Sequence, residues 1–305
     1  MPATKLLCIT PNPALDRTLT VRGFTLGGVS RTGDVLLAAG GKGLNVARAA
    51  RTLGAEAVCL GILAGHTGRL FAELAEREGL SSAWTWGEGE TRCATIIVSD
   101  GGATVVNEQG MTVSEALWEQ FTSDVLAHSG DVICVSGSYP PDVNEDQLTR
   151  WFGALAETGK PVWIDSSGMA LGAALQTKGI NLKVNSDEIG AALGRSVTDI
   201  ASAVDAASKA RESTGGVVVV TLGKLGAVMV NAEGCYAAQP PDLTIKSDVG
   251  SGDSFLAALA ITGATPDGLR RAVAAGTANA LSVGGGQFTL LDFDYVLAKT
   301  TVSSV

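Results

Sequence analysis

Residues 248–255 read DVGSGDSF. Gly250, Ser251 and Gly252 carry almost no side chain and lead straight into Asp253, and the run FLAALAITG that follows reads as a buried helix. Upstream, VVVVTLG (217–223) reads as a strand. The glycine stretch therefore lies at a helix N-terminus, where unpaired N–H groups and the helix dipole favour an anion. Bare backbone lets those groups curl around phosphate oxygens. An acid beside phosphates makes sense if it takes a proton from a hydroxyl that attacks phosphorus. An aspartate at this place also serves as a plain helix cap.

Working outward, LLCIT (6–10), AVCLGIL (57–63), VICVS (132–136), PVWID (161–165) and NLKVN (181–185) join VVVVTLG as short apolar runs. Near-continuous apolarity is the mark of parallel strands covered on both faces. Helical patterns alternate with them at 43–53, 69–78, 114–127, 147–157 and 201–212, and two more are expected at 253–262 and 266–283. The alternation predicts a doubly wound α/β fold. Two regions break it. Residues 17–37 and TRCATIIVSDGGATVVN (91–107) read as strands without helices, SDGGAT being a hairpin turn. Neither could bury a core alone, so a small β-sheet lid over the main body is expected. No linker or repeat divides the chain. The expectation is one domain over 1–305, with the lid drawn from roughly 17–37 and 86–110.

The 305 residues are 46% hydrophobic and carry a formal net charge of -9. Such a charge argues against nucleic-acid binding, which needs a basic face. Five cysteines without a C-x-x-C pair read as buried free thiols in a reducing compartment, and a count of two histidines argues against a zinc site. The N-terminal MPATKLLCITPNPALD is interrupted by Pro11 and Pro13 and is too short in apolar residues for a signal peptide. No apolar stretch is long enough to span a bilayer. A soluble, cytoplasmic protein without membrane contact is expected. Neither G-x-x-x-x-G-K-[ST] nor G-x-G-x-x-G occurs, and GGGQF (284–288) does not complete the latter.

A second glycine-rich stretch, AAGGKGLNVARAARTLG (38–54), places Gly40, Gly41 and Gly43 before a helix holding Asn45. Glycines let a small ligand press on the backbone, and an Asn amide both donates to and accepts from sugar hydroxyls. A tight helix entry would look the same. Together the two stretches resemble the paired signatures of the ribokinase-like carbohydrate kinases, in the phosphofructokinase B family. TPNPALD (10–16), GETR (89–92), NEQG (107–110), SGSYP (136–140), DSSG (165–168), KVNSDE (183–188) and TLGKLGA (221–227) fall in that family's order, so the resemblance covers nearly the whole chain.

The resemblance implies a ribokinase-like fold and ATP-dependent transfer to a sugar hydroxyl. Asp253 matches the family's catalytic base, and the N–H groups of Gly250, Ser251 and Gly252 match its anion hole. Asp16 matches the sugar-binding acid and is expected at the end of the first strand, where α/β proteins bind ligands. Gly40, Gly41, Lys42 and Asn45 match the sugar loop, Lys42 also being able to neutralise a phosphate. Arg92 resembles the arginine that grips substrate phosphate, for which a guanidinium fork is suited. Ser138 is a further substrate contact, although a turn serine also fits, and Arg31 is a weaker candidate. Asn185 and Glu188 form the N-x-x-E element that helps organise Mg2+ through water; the same spacing is also helix-capping chemistry. Val184 stands where the family commonly has proline. Lys183, Thr221, Gly223 and Asn279 match the ATP side, Asn279 near the adenine.

NPALD with GETR favours, within the resemblance, a kinase of a phosphorylated ketohexose, D-fructose 1-phosphate first. Tagatose 6-phosphate and fructose 6-phosphate are the alternatives, followed by a neutral sugar or nucleoside. A non-catalytic sugar- or nucleotide-binding regulator would be expected to lack Asp253. Exposed lid edges are a liability unless covered, and related kinases often pair lids, so a homodimer is expected.

Overall fold

Each of the six apolar runs forms a strand, and the helices fall between them as the alternation requires. A computed structural model describes residues 3–305. In chain order the elements are β1 (Lys5–Thr10), β2 (Ala14–Thr20), β3 (Val35–Gly40), α1 (Lys42–Thr52), β4 (Glu56–Ala64) and α2 (Gly65–Arg77). Next come β5 (Ser81–Gly87), β6 (Cys93–Ser99), β7 (Gly102–Asn107), α3 (Glu115–Ala127), β8 (Val132–Ser136) and α4 (Glu145–Ala156). They are followed by β9 (Val162–Asp165), α5 (Gly168–Leu175), β10 (Asn181–Asn185), α6 (Ser186–Leu193), α7 (Ile200–Thr214) and β11 (Val218–Thr221). The chain ends with β12 (Ala227–Val230), β13 (Cys235–Gln239), α8 (Ser251–Thr262), α9 (Pro266–Ala280), α10 (Leu290–Leu297) and β14 (Thr301–Ser304).

Ten strands make the main sheet in the order β14-β13-β12-β11-β10-β9-β8-β1-β4-β5. From β11 to β5 neighbouring strands are parallel, and β12, β13 and β14 add antiparallel strands at the far edge. Alternate residues of each strand feed two cores. Cys8, Cys59 and Cys134 face α1, α2, α8 and α9 through Leu44, Phe71, Leu256 and Leu269. Leu7, Ile9, Leu60 and Ile62 face α3 to α7 through Phe121, Phe152, Leu171 and Ile189. Burial on both faces is why these strands carry no polar alternation. α8 is buried nearly all round, with Phe255, Leu256 and Leu259 in the core, each contributing roughly 1.5–3 kcal/mol of hydrophobic stabilisation.

A second sheet has the order β3-β2-β6-β7. Its strands reach beyond the expected 17–37 segment at both ends, while residues 21–34 between β2 and β3 form no regular strand. β5, at the start of the expected 86–110 segment, belongs to the main sheet instead. Its alternating, half-exposed SSAWTWG lacks the apolar run that marked the central strands. α5, α10 and β14 were also unanticipated, and α6 was signalled only by the capping spacing of Asn185 and Glu188. They are short, and α5 and α6 follow strand ends that themselves carry the sequence signal.

β1 sits centrally, with β4 on one side and β8 on the other. The chain order reverses across β1 and β8, so the crevice outside their carboxyl ends is where an open α/β sheet binds ligands. Thr10, Ser136, Asp165 and Asn185 end β1, β8, β9 and β10 along this edge. Among the described residues, no helix is long and apolar enough to cross a membrane.

Candidate active site

Asp253 lies in the first turn of α8, 5% exposed, at the carboxyl edge of the sheet. Gly250 precedes the helix at φ 78°, and a Cβ there would lie 2.3 Å from the Gly285 Cα, so only glycine makes this turn. No side chain caps α8. The Ser251 N–H donates to the Asp248 carbonyl at 3.1 Å, whereas those of Gly250, Gly252 and Asp253 make no hydrogen bond among the described residues. Of the three amides expected to form an anion hole, those of Gly250 and Gly252 are free and that of Ser251 is engaged within the chain. The turn engages the Ser251 amide and leaves the Asp253 amide free.

Behind this turn lies a buried charge cluster. Asp165 is fully buried and accepts from Lys183 Nζ at 2.8 Å and Lys42 Nζ at 3.2 Å. Burial pushes its carboxyl up, but Lys183 and Lys42 outweigh it and hold it below the usual carboxylate range. Lys42 is raised, chiefly by Asp165. Asp253 goes the other way. Burial and then the Asp165 charge push it up to about 6, against Lys42, Lys183 and a hydrogen bond from Asn45. Two carboxylates a few residues of fold apart thus have opposed proton affinities, an arrangement typical of acid–base sites.

Asn45, in the first turn of α1, donates from Nδ2 to Asp253 Oδ2 at 2.8 Å. Asp16 stands near the same turn, but not at the end of the first strand as expected. β1 stops at Thr10, and Asp16 is the third residue of β2 in the small sheet, paired with Ala38 and Ala94. The prolines at 11 and 13 break the strand before it. Its carboxylate rests on Gly40, where a Cβ would lie 2.3 Å from it. Burial raises Asp16 to about 6, opposed by Arg48 and Arg92.

On the opposite side of the amide turn, a cleft of about 470 Å3 is lined by Thr221, Gly223, Ser251, Gly252, Thr277 and residues of the 240–245 segment. Thr221 is the last residue of β11 and Gly223 follows two residues later. Asn279 is not among the lining residues. It is fully buried on another face of α9, donating to the Val249 carbonyl at 2.8 Å and accepting from the Gln287 N–H at 3.1 Å. It braces the amide turn and the adjoining glycines rather than facing the cleft.

Residues 9–285 match the pfkB family of carbohydrate kinases. The chain belongs to that family. It is a sugar kinase, a phosphotransferase with an alcohol acceptor. The 1-phosphofructokinase of Vibrio cholerae is 33% identical over 258 residues, 84% of this chain and 81% of that protein. The 1-phosphofructokinase of Bacillus subtilis is 31% identical over 282 residues, 90% of this chain and 92% of that protein. Among solved structures, phosphofructokinase-2 from Escherichia coli in complex with potassium superposes with a TM-score of 0.89 at 29% identity, covering 98% of this chain and 99% of that one.

In this pfkB kinase Arg92 is half-buried where the small sheet meets the main body. Its guanidinium donates twice to the Asn12 carbonyl, at 2.9 and 3.1 Å, and to Glu108 O and Ser138 Oγ, each at 3.0 Å. Arg92 and Ser138 are therefore adjacent. Glu90, two residues earlier, accepts from the N–H groups of His66 and Thr67 and so caps α2, which anchors the segment carrying Arg92. Arg31 is exposed in the irregular 21–34 segment. Asn185 and Glu188 form a reciprocal capping box at the start of α6, with bonds of 2.8 and 2.9 Å. The amide oxygen of Asn185 is engaged there, whereas Glu188 keeps one oxygen free. Among the described residues no cluster of three metal-ligating side chains exists. Such a donor set would suit Mg2+ held mainly by phosphates and water, with the free oxygen of Glu188 able to accept from a metal-bound water.

The sequence reading missed Asp165, which lay unassigned in DSSG, and Arg48 and Glu78, whose pairing joins the middle of α1 to the end of α2, 30 residues apart. It also set aside GGG (284–286), which packs on Asn45 and Gly250.

Proposed function

We propose that this kinase transfers the γ-phosphoryl group of ATP to a hydroxyl of a phosphorylated ketohexose, D-fructose 1-phosphate being the first candidate and fructose 1,6-bisphosphate its product. The observation that carries the reading is the Asp253 carboxylate. It is buried beside free helix amides, between Asn45 on one side and the cleft of Thr221 and Gly223 on the other.

Asp253 takes the proton from the attacking hydroxyl. Raised to about 6, it is ionised at neutral pH yet more basic than an ordinary carboxylate. The free amides of Gly250, Gly252 and Asp253 receive phosphoryl oxygens and stabilise charge without reorganising. Lys183 and Lys42, aligned by Asp165, add positive charge beside them. Asp16 and Asn45 hold sugar hydroxyls, with Gly40 and Gly41 allowing close approach. Arg92, supported by Ser138, grips the phosphate already on the sugar. Mg2+, when bound with the nucleotide near Asn185 and Glu188, supplies neutralisation of phosphate charge. Asn279 acts on the nucleotide side only through the amide turn it braces.

The curated relatives named 1-phosphofructokinase favour fructose 1-phosphate. A second reading, fructose 6-phosphate, is favoured by the likeness to Escherichia coli phosphofructokinase-2, solved in complex with that sugar, at a TM-score of 0.86. Tagatose 6-phosphate remains the sequence-level competitor. Arg92 speaks against a neutral sugar or nucleoside. A coupled assay of ADP release with the three phosphosugars decides: the highest kcat/KM is expected for fructose 1-phosphate, and preference for another sugar overturns this choice.

The small sheet acts as the lid of a single domain. The face carrying Asp16 continues outward through Thr18, Leu36, Ile96 and Val105 by register, and Leu36 and Val105 are 64% and 53% exposed. A second copy covering these residues would remove the exposed apolar surface, giving a homodimer. A monomer by light scattering at micromolar concentration would contradict it. A cytoplasmic location accords with the metabolite substrates and the free thiols.

A further inference from the structure

Asn45 is held from behind. Its Oδ1 accepts from Arg48 Nη1 at 2.8 Å. Arg48 is 7% exposed and has its other donors engaged: Nε and Nη2 on the two oxygens of Glu78, at 2.7 and 2.9 Å, and Nη2 also on the Ala39 carbonyl at 2.7 Å. Gly285 lies flat on the amide, since a Cβ there would be 2.5 Å from Asn45 Nδ2.

We propose that Arg48, clamped by Glu78, is a positioning residue for phosphoryl transfer, setting the Asn45 amide so that its NH2 group faces Asp253. The inference rests on the reading of Asp253 as the base. Guanidinium is a donor only, so the amide atom that meets it must be oxygen. That leaves Nδ2 as the atom turned to Asp253, where it favours the ionised carboxylate. A reversed amide would set oxygen against carboxylate, tolerable only when Asp253 is protonated. The guanidinium serves the sugar side as well, because Asp16 feels its charge. One buried cation thus stands behind both carboxylates that face the acceptor.

The groups acting on Asp253 are Asn45 and Lys42 from α1, Asp165 from β9 and Lys183 from β10, and Asp16 is faced by Arg48 and Arg92. Changing Arg48 leaves the Lys42, Asp165 and Lys183 charges in place and frees the amide. Arg48→Met is expected to lower kcat about ten- to hundredfold, the scale of one hydrogen bond to a charged group. The acid limb of kcat should move up by ~1 pH unit. Arg48→Lys, still donor-only, should bring the limb back towards the wild-type position. The assay uses saturating Mg-ATP and the phosphoketohexose that the wild type turns over fastest. In parallel, the Asp253 carboxyl is titrated by isotope-edited NMR in the substrate-free full chain, with the same upward shift expected.

A merely structural role would reduce the active fraction without moving either midpoint, and that result overturns the proposal. If Arg48→Met does not fold, Glu78→Gln keeps the guanidinium but loosens its clamp. A smaller shift in the same direction is then expected, and none overturns the proposal. Asp253→Asn retaining full turnover would remove the base and with it the catalytic role of Arg48, whereas an inactive Asp253→Asn with unmoved Arg48→Met midpoints removes the role of Arg48 alone.

Discussion

The Lys183 ammonium sits where a side chain on Gly252 would begin: a Cβ built on Gly252 lies 2.6 Å from Lys183 Nζ. The glycine therefore does more than bend the chain. It lets a cation, neutralised by Asp165, rest directly behind the amide turn. Gly252→Ala should displace Lys183 without straining the backbone, since Gly252 lies in the first turn of α8 and is not in the left-handed region. The expected outcome is a raised KM for ATP and a roughly tenfold or greater loss of kcat, with little change in Tm. Unchanged kinetics would detach Lys183 from the nucleotide side.

Asp253→Asn should separate activity from stability. Without the base, kcat falls by orders of magnitude, while ATP affinity by calorimetry is largely kept. Stability moves the other way. The folded carboxyl is raised from 3.8 to about 6, so the folded state binds more protons than the unfolded chain between those values, and stability declines as pH rises through that window. Above pH 6 the ionised carboxylate costs about 1–3 kcal/mol, within the range that two pKa units imply. The asparagine variant should melt higher than wild type at pH 7.5 and lose that advantage below pH 4. A lower Tm at pH 7.5 would show that Asn45 and the lysines outweigh burial.

The parallel sheet was legible because strands buried on both faces leave unbroken apolar runs, as in VICVS and VVVVTLG. Asp253 and Asn45 were legible because glycines mark close backbone approach beside each of them. Asp16 was misplaced because two prolines follow the end of β1 at Thr10, six residues before Asp16, and strand membership in a small sheet depends on distant partners. Asp165, Arg48 and Glu78 were missed for a related reason. Their meaning lies in pairings across the fold, Asp165 with lysines from β10 and α1, and Arg48 with the end of α2. Asn279 showed the converse: its motif position was plain, but helix phase turns it away from the cleft.

Asp165→Asn tests the buried cluster. Lys183, 4% exposed, would lose its carboxylate partner, and breaking a buried pair from one side typically costs about 3–5 kcal/mol. A marked fall in Tm is expected. The pH profile should move opposite to that of Arg48→Met. Asp165 helps to raise Asp253, so its neutralisation lets the Asp253 pKa drop and carries the acid limb of kcat to lower pH. A limb that stays in place would mean that Lys42 and Lys183 relax away from Asp253 once Asp165 is neutral.

Arg92→Ala tests the acceptor phosphate. The guanidinium is fixed by three carbonyl bonds and by Ser138 on the edge where the two sheets meet, so its charge and its one remaining Nη1–H are oriented before any ligand arrives. Preorganised charged hydrogen bonds to a phosphate contribute roughly 1.5–3 kcal/mol. The KM for the phosphosugar should therefore rise about ten- to hundredfold, with kcat less affected, because the far phosphate binds alike in ground and transition states. Arg92→Lys should recover little of this, since an ammonium with three donors cannot span Asn12, Glu108 and Ser138 and still donate to a phosphate. An unchanged KM in Arg92→Ala would confine the residue to joining the sheets, and the acceptor phosphate would have to be sought at Lys42.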